Sequence, residues 1–303
     1  NESEVKSLAY EIRSSDGTKV IENQKLSTLE SSENYLRAEV EIASGLLMNQ
    51  EYSMQITLET DRGDSYYYTR LVSRSSTYTE EYVKFVQNFA QMCMNKNTAD
   101  QLSAYLESQQ SGSRNFAGVS ITSPLSDISW GNLNPQISRQ GIPVIKEINE
   151  TTASVSLSYE ISAVNDNGGV EFYNVEDFYR MRYTESRIML LDFERSAAQI
   201  FNPNLPVISD SGLLLGVRSR DVSYMTNEEA SVVAFVQEGE LWTYAPENGK
   251  FVDVFSFRKT DNRDARDASQ EHGIKLIQVE DNGDVDFVVY GYMSRGAHEG
   301  ICG

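Results

Sequence analysis

Several stretches of this chain alternate apolar and polar residues with a period of two, and that pattern limits the folds open to it more than any other feature. Val155, Leu157, Tyr159 and Ile161 alternate strictly with polar residues. Tyr52, Met54, Ile56 and Leu58 repeat the pattern, and so do Leu36, Ala38, Val40 and Ile42 against Arg37, Glu39 and Glu41. Tyr179, Met181 and Tyr183 alternate with Arg180 and Arg182. A strand turns successive side chains to opposite faces, so each stretch reads as a β-strand with one face buried. Turn signals lie between the runs: Ser15-Asp16-Gly17, Asp61-Arg62-Gly63-Asp64, Asp166-Asn167-Gly168-Gly169, Pro246-Glu247-Asn248-Gly249 and Asp281-Asn282-Gly283-Asp284. Asn-Gly and Asp-Gly supply the positive φ of tight hairpins, so the strands are expected to be antiparallel. The 17 tyrosines suit half-buried strand faces, where the ring packs inward and the hydroxyl finds a partner.

The period changes once. Thr77 with Glu80 reads as a capping box, and Tyr82, Val83, Val86, Phe89, Ala90 and Cys93 form a helical stripe. A shorter helix is expected from Thr98, with Gln101 as its box partner and Leu102, Tyr105 and Leu106 facing inward. Ser108 to Ser113 is a loop by composition. A chain of 303 residues is long enough for two or three domains. The expected fold class is mainly β with an α+β middle domain. Residues 1–76 read as a β-sandwich, 77–196 as helices plus an antiparallel sheet, and 197–303 as an all-β meander.

Within the first region, Leu46-Leu47-Met48-Asn49-Gln50-Glu51-Tyr52 resembles the tyrosine corner of fibronectin type III domains, which implies a spacer or adhesion module. There a Leu six residues before the Tyr packs under the corner and the Tyr hydroxyl bonds back to the backbone. Two helices followed by long antiparallel strands resemble the cone-shaped domains of the nuclear-transport-factor-2-like superfamily. The paired runs Gly239–Tyr244 and Phe251–Phe257, and Ile274–Val279 and Val285–Tyr290, resemble blades of a β-propeller. As that region supplies two or three blades, the natural protein is expected to continue past Gly303, or the open edge to be covered. The segment Val164–Phe172 matches Val279–Phe287 at six of nine places while the flanks do not align, which is expected of convergent hairpin chemistry rather than duplication. The chain as a whole, and Val288-Val289-Tyr290-Gly291-Tyr292-Met293-Ser294-Arg295-Gly296-Ala297-His298-Glu299-Gly300 in particular, resembles uncharacterised surface or membrane-anchored proteins of anaerobic Gram-positive bacteria. That resemblance implies an extracellular or cell-surface location and no mechanism.

Charge narrows the partners. With 45 acidic and 26 basic residues the net charge is −19, spread over both halves of the chain. A field of this sign repels phosphate backbones and anionic bilayers, so neither nucleic acid nor a membrane surface is an expected partner. No run approaches the 18–20 apolar residues of a membrane span. The first residue is not Met, and a natural N-terminal signal or anchor is expected upstream.

The chemistry-bearing residues are few. Cys93 sits in the helical stripe and is expected to be a buried, inert thiol, while Cys302 is far from it; the redox compartment stays open. Only His272 and His298 are available to a catalytic triad, and neither accompanies a nucleophile elbow or zinc spacing. Asp281, Asp284 and Asp286 set three carboxylates in six residues, the hard oxygen ligands calcium takes, though without EF-hand spacing. They are the candidate metal site against a plain hairpin turn. Glycoside hydrolysis needs paired carboxylates and aromatic platforms. Asp192 with Glu194, Glu176 with Asp177, and Trp130 and Trp242 are the candidates, with Arg195 read as part of a solvated charge pair. Phosphate loops and dinucleotide fingerprints are absent. The expectation is a binding or scaffold protein, or a signalling accessory, with no catalytic residues and no cofactor, whose partner is a protein or carbohydrate at the cell surface. A glycan-active hydrolase is the alternative.

Overall fold

The computed structural model describes residues 4–26, 29–32, 35–107, 116–217, 222–258, 272–293 and 300–302. The protein is mainly β, with 53% strand and 10% helix in several antiparallel sheets. It divides into two compact units, residues 1–78 with 148–151, and residues 79–147 with 152–303. The expected boundary at 196/197 does not appear in this division.

In the first unit, β1 (Val5–Ser14), β2 (Val20–Leu26), β3 (Glu30–Ser32), β4 (Tyr35–Arg37), β5 (Gln50–Thr60) and β6 (Gly63–Ser73) follow in order. Four of them form an antiparallel sheet in the order β2-β1-β5-β6, while β3 and β4 pair with each other in a separate two-stranded ladder. The β1–β2 hairpin closes at Gly17, whose φ of +73° a side chain would resist. Tyr10, Ile12, Tyr52 and Met54 form the buried core. The strand expected over 35–42 stops at Arg37. Beyond it the chain keeps its alternation without a ladder, and Val40, Ile42 and Leu46 pack on the core from an extended stretch. Leu47 N–H donates to the Tyr52 hydroxyl at 2.8 Å, and Leu46 packs against the same core.

The second unit opens with α1 (Thr79–Met94). Its buried face is Tyr82, Val86, Phe89 and Cys93, four members of the expected stripe. A short 3₁₀ helix, Ala99–Ala104, follows; the expected Thr98 capping bond is not made, and the Thr98 hydroxyl donates to the Asn95 carbonyl instead. Then come β7 (Gly118–Ser120), α2 (Leu125–Ile128), β8 (Gln136–Arg139), β9 (Val144–Ile148), β10 (Thr152–Val164), β11 (Val170–Tyr183) and β12 (Ile188–Gln199). The sheet order is β7-β12-β11-β10-β8, with β9 also on β10. Helix α1 lies on the three long strands: Phe89 meets the rings of Tyr179 and Phe193 at 5.6 and 5.0 Å, and Tyr183 N–H donates to the Tyr82 hydroxyl.

The remaining strands are β13 (Ile208–Ser209), β14 (Gly212–Leu213), β15 (Ser223–Thr226), β16 (Val233–Gln237), β17 (Glu240–Ala245), β18 (Lys250–Ser256), β19 (His272–Val279), β20 (Val285–Met293) and β21 (Gly300–Cys302). β15 to β18 form a four-stranded meander, and β19 to β21 a second sheet. Alternation lets the meander bury both faces. Ala234 and Leu241 pack with Ile274, Leu276 and Val279, whereas Phe235 packs with Phe201 and Val207. Polar contacts tie it to the long sheet: Gln237 donates to the carbonyls of Gln199 and Leu215, Asn174 to Glu238, and Arg258 to Glu160. The two similar nine-residue segments adopt the same turn. Gly168 N–H donates to the Asn165 carbonyl at 2.9 Å, and Gly283 N–H to the Glu280 carbonyl at 3.0 Å.

Candidate functional site

Beneath α1 the long sheet carries a buried ion pair. Arg195 on β12 donates from Nε to Asp177 Oδ1 at 2.7 Å and from Nη2 to Oδ2 at 3.1 Å. Tyr179 and Tyr159 add hydroxyl donors to Oδ2 at 2.8 and 3.2 Å. Asp177 is 0% and Arg195 2% exposed, which corrects the solvated charge pair expected of Arg195. Strand parity is the reason: Glu176 and Glu194 point outward, so their neighbours point in. Burial opposes the guanidinium charge, but the Asp177 carboxylate, together with Tyr159 and Cys93 beside it, outweighs burial, and the Arg195 pKa stands well above its ordinary value. Burial raises the Tyr159 and Tyr179 hydroxyls far above the usual tyrosine range, and it also raises the Cys93 thiol. A protonated, fully enclosed Cys93 is not a nucleophile.

This network reaches the surface through one loop. Arg195 Nη1 donates to the Ile128 carbonyl at 2.7 Å, and its guanidinium lies 4.7 Å from the centre of the Trp130 ring. Trp130 and Gly131 both take positive φ, +66° and +49°, a conformation a bulky residue adopts only when its surroundings hold it. Lys96 Nζ donates to the carbonyls of Ser129 and Gly131, and the Gly131 N–H to the Ser126 carbonyl. Trp130 is 1% exposed, so it is not the sugar platform expected of it; Trp242 packs on Phe201 and donates to Glu240.

The loop is one wall of a groove of about 780 Å³. Phe116, Ser126, Asp127 and Asn132 to Asn134 line it on one side, and Val164, Asn165, Asp166 and Glu171 on the other. The far wall is rigid by its turn chemistry. Asn165 Oδ1 accepts from the backbone N–H of Asn167 and Gly169, which leaves Nδ2 to donate to Glu171 at 3.0 Å. The Tyr173 hydroxyl donates to the other Glu171 oxygen at 2.6 Å. Asn165 and Glu171 also line a second cavity of about 220 Å³, bounded by Gln199–Asn202, Leu205–Val207 and Leu214–Gly216. On the first wall Asp127, 5% exposed, accepts from the Ser126 hydroxyl. No lysine, arginine or histidine lines the groove among the described residues.

The sequence candidates lie elsewhere. Asp281, Asp284 and Asp286 are exposed at the β19–β20 turn and the start of β20. Asp281 accepts from Asn227 and Asp284 from Asn282, and among the described residues no group of three His, Cys, Asp or Glu is disposed to hold a metal ion. Asp192 and Glu194 face outward on β12, and Glu176 and Asp177 lie on opposite faces of β11. His272 is half-buried at the start of β19 beside Phe257, and burial lowers its pKa. His298 lies outside the described residues. No helix among the described residues is long and apolar enough to cross a membrane. No protein-family model matches the chain, no curated protein matches it, and no solved structure matches its fold.

The groove itself was missed in the sequence. Phe116 and Asn132 belong to stretches with no periodicity, and the partner wall is a turn read only as a turn. The one available signal was the side-chain amides of Asn132 and Asn134 ahead of β8 and of Asn165 just after β10.

Proposed function

We propose that this is a non-enzymatic binding protein of the cell exterior whose groove takes a neutral, hydroxyl-rich ligand, a glycan. The groove's lining carries this reading. Side-chain amides of Asn132 and Asn134 offer donors and acceptors, Asn165 offers its second Nδ2 hydrogen, the carboxylates of Asp127 and Glu171 keep lone pairs beyond those their internal donors use, and Phe116 offers an aromatic surface. Sugars present hydroxyls at their edges and C–H groups on their faces, and such a lining meets both. A phosphorylated or sulfated ligand would find carboxylates and, among the described lining residues, no cation.

Binding is favoured over hydrolysis because the carboxylates expected to be paired for hydrolysis do not line the groove. The two that do, Asp127 and Glu171, are each held by internal donors. The location rests on the resemblance to surface proteins, and the spacer reading of the first unit is supported by the Tyr52–Leu47 bond. The blade reading is supported by the four-stranded meander β15–β18.

Titration calorimetry against a panel of neutral glycans tests the proposal. Phe116→Ala and Asn134→Ala are expected to weaken binding at least tenfold, about 1.4 kcal/mol, with unchanged circular dichroism and no release of reducing ends by the parent protein. Turnover that disappears in Glu171→Gln would make the protein the hydrolase of the alternative reading. Absence of any glycan binding would overturn both.

A further inference from the structure

The two edges of the first unit's sheet are finished differently. The β2 edge has the devices that stop a sheet from recruiting another chain: seven residues, an irregularity in its register at Ile12/Arg13, and Glu22 occupied by the backbone N–H groups of Ala43 and Ser44. The β6 edge lacks them. It is 11 residues long, pairs with β5 in unbroken register from Gln50↔Ser73 to Thr60↔Gly63, and contains no Lys or Pro. Among the described residues β6 pairs with β5 alone. Such a strand presents backbone donors and acceptors to any chain able to lie beside it.

We infer that β6 is a homodimer interface, occupied by β6 of a second copy running antiparallel across a two-fold axis. Charge complementarity selects this partner and one register. On the face away from the core, β6 carries Asp64, Tyr66, Tyr68 and Arg70, as the opposite parity to the core residue Leu71 requires. Centring the axis midway between Asp64 and Arg70 sets each Asp64 opposite the other copy's Arg70, and each Tyr66 opposite the other copy's Tyr68. Opposite charges and aromatic pairs directly across a ladder both stabilise it. Outward backbone groups belong to alternate residues, so the next allowed registers are a whole step away. Those set Arg62 opposite Arg70 or opposite Arg74, like against like. The side chains are available: Tyr66 is 54% and Tyr68 70% exposed. Arg70 leans on Glu51 at 3.4 Å, and Arg74 stands 3.8 Å from the same carboxylate, so Glu51 keeps a cation when Arg70 turns across. The net charge of −19 opposes association, which places the measurement at physiological ionic strength, where exposed charges more than about 8 Å apart are screened.

Analytical ultracentrifugation of the full chain over a concentration series tests the interface. A concentration-dependent dimer is expected. Asp64→Arg and Arg70→Asp should each shift the protein to monomer, with unchanged circular dichroism, because each sets like charges across the axis twice. Mixing the two variants should restore a dimer, since one copy then carries a cation at both positions and the other a carboxylate at both. A parent chain that stays monomeric overturns the inference. So does a dimer that survives both substitutions, and so does a mixture of the variants that does not associate.

Discussion

The sheet of the first unit and the β10–β12 sheet of the second are written with the same device, long strands with tyrosines on the inner face, and they dispose of the tyrosine hydroxyls in opposite ways. In the first, Tyr10 is 1% exposed but its hydroxyl reaches the rim, where it donates to Glu22 and lies within hydrogen-bonding distance of the Gln24 side chain and the Glu41 carbonyl. In the second, Tyr159 and Tyr179 donate to Asp177, which is 0% exposed. The cover makes the difference. The stretch over 38–46 is thin enough for a phenol to extend past it to the Glu22 carboxylate at the rim. A helix carrying Phe89 and Tyr82 is not, so the acceptor had to be brought inside and its charge balanced by Arg195. A polar group under a thick cover needs an internal counter-charge; under a thin one it borrows from the surface.

The largest test of this contrast is Asp177→Ala. It leaves a buried guanidinium without its carboxylate, and about 3–5 kcal/mol of stability should be lost. Urea unfolding followed by tryptophan fluorescence reads the second unit alone, because Trp130 and Trp242 both lie there. A loss below about 1 kcal/mol would mean that water enters the network. Removing both charges in Asp177→Leu with Arg195→Met should recover much of the loss. About 1–3 kcal/mol should remain missing, because the Tyr159 and Tyr179 hydroxyls then lack an acceptor.

Sequence pattern revealed the strands and almost nothing of this contrast. Alternation located β5, β10 and β11, and the Asn-Gly turns located the β10–β11 and β19–β20 hairpins, because both signals are local. The stripe Tyr82, Val86, Phe89 and Cys93 likewise came from one helix's own period. The 38–42 stretch has a strand's alternation without a ladder, since alternation reports burial on one side and says nothing about a hydrogen-bonded neighbour. Asp177 and Arg195 stand 18 residues apart on adjacent strands. Only the β11–β12 register, which places Asp177 opposite Arg195, joins them, and their neighbours Glu176 and Glu194 made the region look solvated. The groove depends on three separate segments meeting, so no window of sequence contains it.

A smaller test concerns the first unit. Tyr52→Phe removes the acceptor of the Leu47 N–H while keeping the ring in the core. A buried donor left unpaired costs about 1–3 kcal/mol, but Leu47 is 62% exposed and water can replace the hydroxyl. A loss near 1 kcal/mol is therefore expected, read by tyrosine fluorescence or far-ultraviolet circular dichroism during urea unfolding. An effect as large as that of Asp177→Ala would show the cover over 38–46 to be as dry as the helix.

The smallest effect is a pH dependence, and it comes from the rim. Glu22 is drawn down from 4.5 to about 2, first by the Tyr10 hydroxyl and then by the N–H groups of Ser44 and Ala43. Tyr10 is pushed up from 10.0 to about 12, first by burial and then by its bond to Glu22. A carboxylate with a depressed folded value stabilises above its unfolded pKa, and that contribution fades as pH falls from 4.5 towards 2. A phenol with a raised folded value stabilises below pH 10, and its contribution fades as pH rises from 10 to 12. The first unit should therefore hold a plateau of stability between those limits, with one limb on each side. Tyr10→Phe removes the Tyr10 contribution to the alkaline limb and moves the Glu22 midpoint up towards 4.5, which shallows the acid limb and leaves the share of Asp16 and Glu59, whose pKa values are also lowered. Carbon-13 titration of the Glu22 carboxyl in both proteins measures this directly. A midpoint unchanged in Tyr10→Phe would mean that the Ala43 and Ser44 amides alone hold the carboxylate, and that the thin cover, rather than the tyrosine beneath it, sets the electrostatics of this rim.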